Sequence, residues 1–430
     1  MHATFMSGWR STICIFVGAL LLICQSMSVS MFAPIFPLAA RERDVTPATI
    51  GSITGTFDIS CLISLGILTY MGVVRIRLLF FLSNILLCCG LVFIGSSDYV
   101  EKSNIYITMN FLGRASMGIG ASMLWTIALP IVENLLEGKN TGKAAASLAS
   151  LLGAGVILGP PFASLGLSIK GFPFPFFVIA SLIGVLGLIL GILLTSIKST
   201  FSTVNDSPST SKSFANFFCN MRHLVILLPL ICCCAAFGIL DTMLAPHLHK
   251  VFSFNGNKTG YVFITFAASF CSSVMFCGFL TDRGYGEIIY VTIPCLAGAG
   301  FFVQFLSSFH SESLLQLITG LILIGLGLGG AIAPIYSLVE RIATREDLPS
   351  ANIAASGAVC MALSIGKIIG PSVLGGVFYM EWGYFNVMLI EALLIFVSVS
   401  IAIAVLVDDG LFDETPAKGE AQVLLAPSNM

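Results

Sequence analysis

Long uninterrupted apolar stretches dominate the chain, and polar residues collect in short gaps between them. Twelve stretches have the ~20 mostly apolar residues that a bilayer-spanning helix needs. They cover residues 12–38, 47–70, 76–96, 105–133, 143–168, 172–197, 223–249, 258–281, 287–308, 313–340, 350–377 and 383–407. These are spans 1 to 12. Continuous runs of this length predict helices, because the strands of a membrane barrel alternate in polarity over about ten residues. The first run is long and no small-residue cleavage site follows it, so it reads as a true span and not as a removable leader. The polar segment 198–222, rich in Ser, Thr and Asn, reads as a cytoplasmic linker. It divides a six-helix bundle at 1–197 from another at 223–407, and residues 408–430 read as a cytoplasmic tail.

Composition agrees with that reading and narrows it. Hydrophobic types make up 57% of the 430 residues and charged types 10%, with a net charge of -2. Soluble domains carry about 25% charged residues, so a soluble domain, a disordered chain and a secreted disulfide scaffold are excluded. The near-neutral balance offers no basic footprint for nucleic acid. Lys and Arg set the orientation. With a cytoplasmic N-terminus, twelve of the 20 basic residues fall on the cytoplasmic side and six on the other, while Arg114 and Lys367 lie within spans. Both termini are therefore expected in the cytosol. Twelve of the 13 cysteines fall within spans and Cys219 in the linker, so no stabilising disulfide is expected. The run Cys232-Cys233-Cys234 lacks His or carboxylate at ligand spacing, and no metal or other cofactor is expected. No His/Asp or Ser/His cluster suggests an enzyme, and no GxxxxGK[ST] loop suggests ATP-driven work.

The two halves look like repeats, a hallmark of large transporter folds. Pro34 and Pro246 differ by 212 positions, Gly66 and Gly278 by 212, and the pairs Gly159-Pro160 and Gly370-Pro371 by 211.

Motifs then point to a family. The turn after span 8 reads Gly278-Phe-Leu-Thr-Asp282-Arg283. Span 4 carries Arg114-Ala-Ser-Met-Gly118-Ile-Gly120, and span 5 carries Gly155-Val-Ile-Leu-Gly159-Pro160-Pro161. Together and in this order they resemble the signatures of the major facilitator superfamily. The resemblance implies an all-α membrane protein of twelve helices in two bundles. It also implies that Asp282 caps a helix and, with Arg283, ties neighbouring helices together on the cytoplasmic side. The counterpart after span 2 ends in Tyr70-Met71 and has lost both charges. Gly118, Gly155, Gly159, Pro160, Gly370 and Pro371 read as hinge or packing positions, since small residues let helices approach closely.

Within that superfamily the chain most resembles the vesicular amine transporter family. The carriers of this likeness are Ala33-Pro34-Ile-Phe-Pro37, Phe237-Gly-Ile-Leu-Asp241 and Gly366-Lys-Ile-Ile-Gly370-Pro371. Gln25, Thr54, Gly329 and Cys360 stand where monoamine and acetylcholine carriers have charges, and the loop between spans 1 and 2 is short. Asp58 in span 2 and Asp241 in span 7 are similar to the acids of the polyamine branch. The resemblance implies a proton-coupled antiporter that moves organic cations from the cytosol into vesicles.

Charges inside spans need a reason, because each costs about 2.5–3.5 kcal/mol near the bilayer centre even on the lenient scale. Asp58 and Asp241 are candidates to bind a proton and a substrate ammonium in turn; structural salt bridges are the alternative. Lys367 lies at the depth of Asp58 and is a candidate ion-pair partner across the bundle interface. Arg114 reads as structural or gating, Gln25 as a neutral cavity group, and Glu391 as a residue that faces a neighbour or snorkels. His247 reads as a solvated loop end. Glu420, Leu424 and Leu425 have the spacing of an acidic dileucine signal for a vesicle-sorting adaptor. The expected setting is a vesicle membrane, with the plasma membrane as the alternative, and the expected form a monomer. Rival functions are a carrier for another solute, such as a drug, sugar or organic anion, and a non-transporting membrane sensor of this fold.

Overall fold

The structure, a computed structural model, describes residues 8–71, 73–74, 76–135, 141–195, 204–205, 221–309, 313–345 and 351–408. Among them, nine helical segments are long and apolar enough to cross a bilayer. Two of these, Lys258–Phe309 and Ala358–Asp408, run to 52 and 51 residues and are each two consecutive spans. The helix Ser103–Leu135 completes the set as span 4. The protein is an all-α bundle of twelve membrane helices. A two-residue antiparallel pair joins Val73–Val74, after span 2, to Val204–Asn205 of the polar linker.

Predicted ends agree with the helices to within a few residues, with informative exceptions. Span 1 runs from Gly8 to Ser30 and stops short of 38. Pro34 and Pro37 explain this, since each lacks the N–H that would continue the ladder. Pro37 instead sits in the first turn of a short helix, Phe36–Arg41. Span 7, by contrast, stays helical from Met221 to Phe252 through both Pro229 and Pro246. Pro34 and Pro246 are therefore not equivalent. Span 10 continues to Arg345, five residues beyond its apolar stretch. Span 11 changes to a π-helical turn at Gly370–Phe378, and span 12 follows from Tyr379 to Asp408 around Gly383 at φ 76°. Only glycine adopts that backbone without strain, which lets two spans join with almost no loop.

Buried apolar side chains form two clusters. One draws on residues between Cys14 and Leu190, the other on residues between Ile226 and Leu406 together with Ala33. The outer surface is also apolar: Ile63, Ile67, Leu188, Ile192, Phe276 and Val407 are more than half exposed. A surface of that kind fits lipid and not water.

Glycine contacts reveal the internal repeat in three dimensions. A Cβ at Gly155 of span 5 would meet Ile23 O, Ser26 Cβ and Met27 N of span 1, the first two at 2.5 Å. A Cβ at Gly366 of span 11 would meet Ile231 O, Cys234 Cβ and Ala235 N of span 7 at 2.3–3.1 Å. Gly118 of span 4 lies on Phe57 and Ser60 of span 2, and Gly325 of span 10 lies on Phe266 and Ser269 of span 8. The true offsets are thus 211 for the pair Gly155 and Gly366, 208 for Ile23 and Ile231, 209 for Phe57 and Phe266, and 207 for Gly118 and Gly325. Gly159-Pro160 and Gly370-Pro371 keep their predicted correspondence. Gly66 and Gly278 do not, because span 2 superposes on span 8 three positions earlier. Unequal loops between similar helices produce these drifts.

The face of the bundle opposite the N-terminus is called the far face. Near it, the two halves touch backbone to backbone. A Cβ at Gly51 of span 2 would fall 1.9 Å from Pro371 O of span 11, and one at Gly260 of span 8 would fall 2.9 Å from Pro160 O of span 5. Gly51 and Gly260 are 209 positions apart and so equivalent in the repeat. Ser372 Oγ also donates to Gly51 O at 3.4 Å. At the far-face loops Arg43 Nη2 bonds Asp98 Oδ1 at 2.7 Å, and the Arg43 guanidinium lies 4.6 Å from the Tyr106 ring.

Candidate functional site

Four charged side chains meet between the halves: Asp58 from span 2, Arg114 from span 4, Asp241 from span 7 and Lys367 from span 11. Helix packing sets their levels. Gly51 abuts Pro371 and Gly55 abuts Ile368, because neither glycine has a side chain to hold the spans apart. One turn on, the antiparallel register brings Asp58 level with Lys367. Each of the four lies within electrostatic range of the opposite charges. Among the described residues, no hydrogen-bonded ion pair closes between them.

Access divides them. Asp58, Asp241 and Lys367 keep part of their surface, whereas Arg114 is only 3% exposed. Arg114 Nη2 donates to Thr54 O at 3.1 Å, a carbonyl one turn before Asp58. Its guanidinium carbon lies 4.5 Å from the Phe32 ring centre and 4.8 Å from that of Phe57. Aromatic faces attract a desolvated cation by about 2 kcal/mol or more. The rings and the carbonyl therefore hold this charge in an apolar setting, while Nε and Nη1 find no partner. Lys367 Nζ lies 5.8 Å from the centre of the Phe237 ring. Phe237 meets Phe266 and Phe270 of span 8 nearly at right angles, with centres 5.1 and 5.0 Å away.

The remaining candidates are placed as follows. Gln25 is fully buried, and neither its Nε2 nor its Oε1 has a partner, so it does not reach the cavity surface. Gly118, Gly155 and Gly159 pack spans within the first half. Gly370 does so in the second, with its Cβ position 2.1 Å from Ala235 O. Pro371 packs against both Gly51 and Gly238. Cys360 lies beside Tyr336 of span 10. Glu420, Leu424 and Leu425 lie outside the described residues, as does most of the linker with Cys219.

Two expectations are corrected. Asp282 and Arg283 are exposed in the π turn Thr281–Tyr285, and no side chain caps the helices that flank it. Arg283 instead lies over the Phe279 ring at 4.1 Å. Charge ties among the described residues on this side include Arg222 of span 7 to Asp408 of span 12 and Arg341 of span 10 to Glu287 of span 9. A carboxylate at the first residue of a predicted span is the sequence signal of the second. His247 is no solvated loop end: it is 5% exposed and stacked on Tyr384 at 3.6 Å, because span 7 continues past it as helix. Of the two alternatives for Glu391, facing a neighbour agrees with its full burial in the second half and snorkelling does not.

Two partly accessible carboxylates and two cations in a low-dielectric interior can exchange a proton or an ammonium group, but they assemble no bond-breaking constellation. With twelve spans in two repeated halves, they define a polytopic membrane carrier. The chain belongs to the Major Facilitator Superfamily, whose sequence profile matches residues 18–352 and, again, 226–427. It is a membrane transporter, not an enzyme. It is 24% identical to the human MFS-type transporter SLC18B1 over 395 residues, covering 88% of this chain and 83% of that one. It is 24% identical to the rat protein of the same name over 94% of this chain and 90% of that one. To Multidrug resistance protein 1 of Bacillus subtilis it is 23% identical over 84% of this chain and 89% of that one. The two SLC18B1 relatives agree with the family that the motifs of spans 1, 7 and 11 resemble. The fold is shared with a bacterial homologue of the human lysosomal transporter Spinster, solved inward-facing and unoccupied. That match has a TM-score of 0.70 at 12% identity, over 93% of this chain and 98% of the other.

Proposed function

We propose that this transporter exchanges protons for organic cations, such as polyamines or monoamines, carrying them from the cytosol into vesicles by alternating access. The observation that carries this is the pair Asp58 and Asp241, partly accessible between the halves and tied into no closed ion pair. A carboxylate in that setting accepts either a proton or an ammonium, and competition between the two is the minimal chemistry of antiport. The kinship with SLC18B1 supports the reading as a transporter. The far-face contacts at Gly51 and Gly260 support a state that receives substrate from the N-terminal side, which the Lys and Arg distribution assigns to the cytosol. The bundles 1–197 and 223–407 then rock about the charged centre, and the dileucine-like tail is read by a sorting adaptor.

The test is uptake by purified protein in liposomes with an acid interior. Spermine or serotonin accumulates and a neutral sugar does not; sugar uptake that ignores the proton gradient would overturn the reading.

Asp58 and Lys367 form the bridge that opens and closes in the cycle. Asp58→Asn abolishes transport, and Asp58→Lys combined with Lys367→Asp restores a measurable part of it. Failure of the swap in a normally expressed variant refutes the bridge.

A further inference from the structure

Phe237 has no role in the antiport chemistry outlined above, yet one of the partly accessible charges, Lys367, lies over its ring. It lies on span 7 four residues before Asp241, so both project from one face of that helix, one turn apart. The Lys367 ammonium stands over the ring at 5.8 Å. Behind it, Phe266 and Phe270 of span 8 meet the ring at interplanar angles of 75° and 88°. Phe266 is only 4% exposed, which fixes that side of the assembly. Phe237 itself, with Asp241 and Lys367, keeps partial access to the space between the halves. A rigid aromatic face beside a carboxylate is a receptor for an organic ammonium: the ring quadrupole attracts the cation and the carboxylate neutralises it.

We infer that Phe237 and Asp241 form the ammonium subsite of the carrier, and that Lys367 occupies this subsite as a tethered substitute while the carrier is empty. The inference rests on the organic-cation reading and adds to it a residue and an order of events. An arriving ammonium takes the face of Phe237 and Lys367 leaves it for Asp58, which already acts on it more strongly than Asp241 does. Substrate binding thereby drives the Asp58–Lys367 bridge together. Compact primary and secondary ammonium groups fit this subsite, and a bare anion does not.

The experiment is equilibrium binding of radiolabelled spermine and serotonin to the purified full chain in lipid nanodiscs. Phe237→Leu weakens both by about tenfold, the scale of a partly desolvated cation–π contact. Phenylalanines carrying one, two and three fluorines at position 237 keep the shape of the ring and drain its face of charge. They weaken binding step by step, and they decide the matter even where the Leu variant fails to fold. Lys367→Met tightens spermine binding when Phe237 is present and has no such effect in the Phe237→Leu background. Fluorination without effect, in protein that binds spermine normally, overturns this subsite and leaves the cation reading standing. A wild-type protein that binds neither spermine nor serotonin overturns the cation reading itself, and the subsite with it.

Discussion

Asp241→Asn removes proton-driven accumulation of organic cations, with initial uptake into acid-loaded liposomes falling on the order of a hundredfold. Truncating one member of a buried, charge-complementary contact typically costs 2–5 kcal/mol. Here the loss is twofold in kind, since an amide neither takes up a proton at the far side nor balances an ammonium at the near side. The fold survives the change for a structural reason. Among the described residues Asp241 closes no hydrogen-bonded ion pair, and the segment around it is helical from Met221 to Phe252. Asp241→Glu keeps the charge and retains a fraction of transport. Reconstituted Asp241→Asn that still accumulates substrate at the wild-type rate would show that the coupling acid lies elsewhere.

Gly51→Leu pries the two halves apart at the far face and cuts transport at least tenfold. The Cβ of any side chain there would lie 1.9 Å from Pro371 O and 2.8 Å from Pro371 C. Both are backbone atoms, so no rotamer change relieves the clash and the spans themselves have to separate. Ordinary packing in a membrane bundle depends on such small residues because lipid supplies no hydrophobic drive to hold helices together. Reactivity reads the opening directly. A cysteine introduced by Ser372→Cys, beside Gly51, is shielded from a membrane-impermeant maleimide in the parent and reacts from the far side in the Gly51→Leu background. Gly260→Leu, at the equivalent seam, behaves the same way. Unchanged shielding with unchanged transport would remove this seam from the cycle.

Hydropathy made the twelve spans legible because a helix in lipid is apolar on nearly every face and the gaps between spans are polar. Rarity made the charges legible: Asp58, Asp241, Arg114 and Lys367 are conspicuous in a chain with 10% charged residues. Partnership was not legible. Protein and lipid are alike to an apolar side chain, so no pattern tells that Gly118 rests on Phe57 while Gly278 has nothing within 4 Å. Of the three glycine and proline anchors, Gly159-Pro160 with Gly370-Pro371 is a true repeat pair and the other two are displaced. The error grew from loops of unequal length, which shift each helix pair by its own amount. Phe237 opens the span 7 motif, but only the position of Lys367 above its ring gives it a part at the site. His247 lies two residues from the predicted end of span 7 and so reads as solvated, whereas the helix runs on to Phe252 and Tyr384 covers the ring.

The repeat offsets reach beyond packing. By them Asp58 corresponds to Ala267, Arg114 to Leu321, Asp241 to Ala33 and Lys367 to Val156. Every charge at the centre faces an aliphatic residue in the sister copy. The scaffold keeps the twofold design of a duplicated ancestor, and the chemistry does not. Each half has become a specialist whose polar groups are its own, so neither could stand in for the other, and a pair of identical halves built from either one would hold the shape of a carrier without its complement of charges.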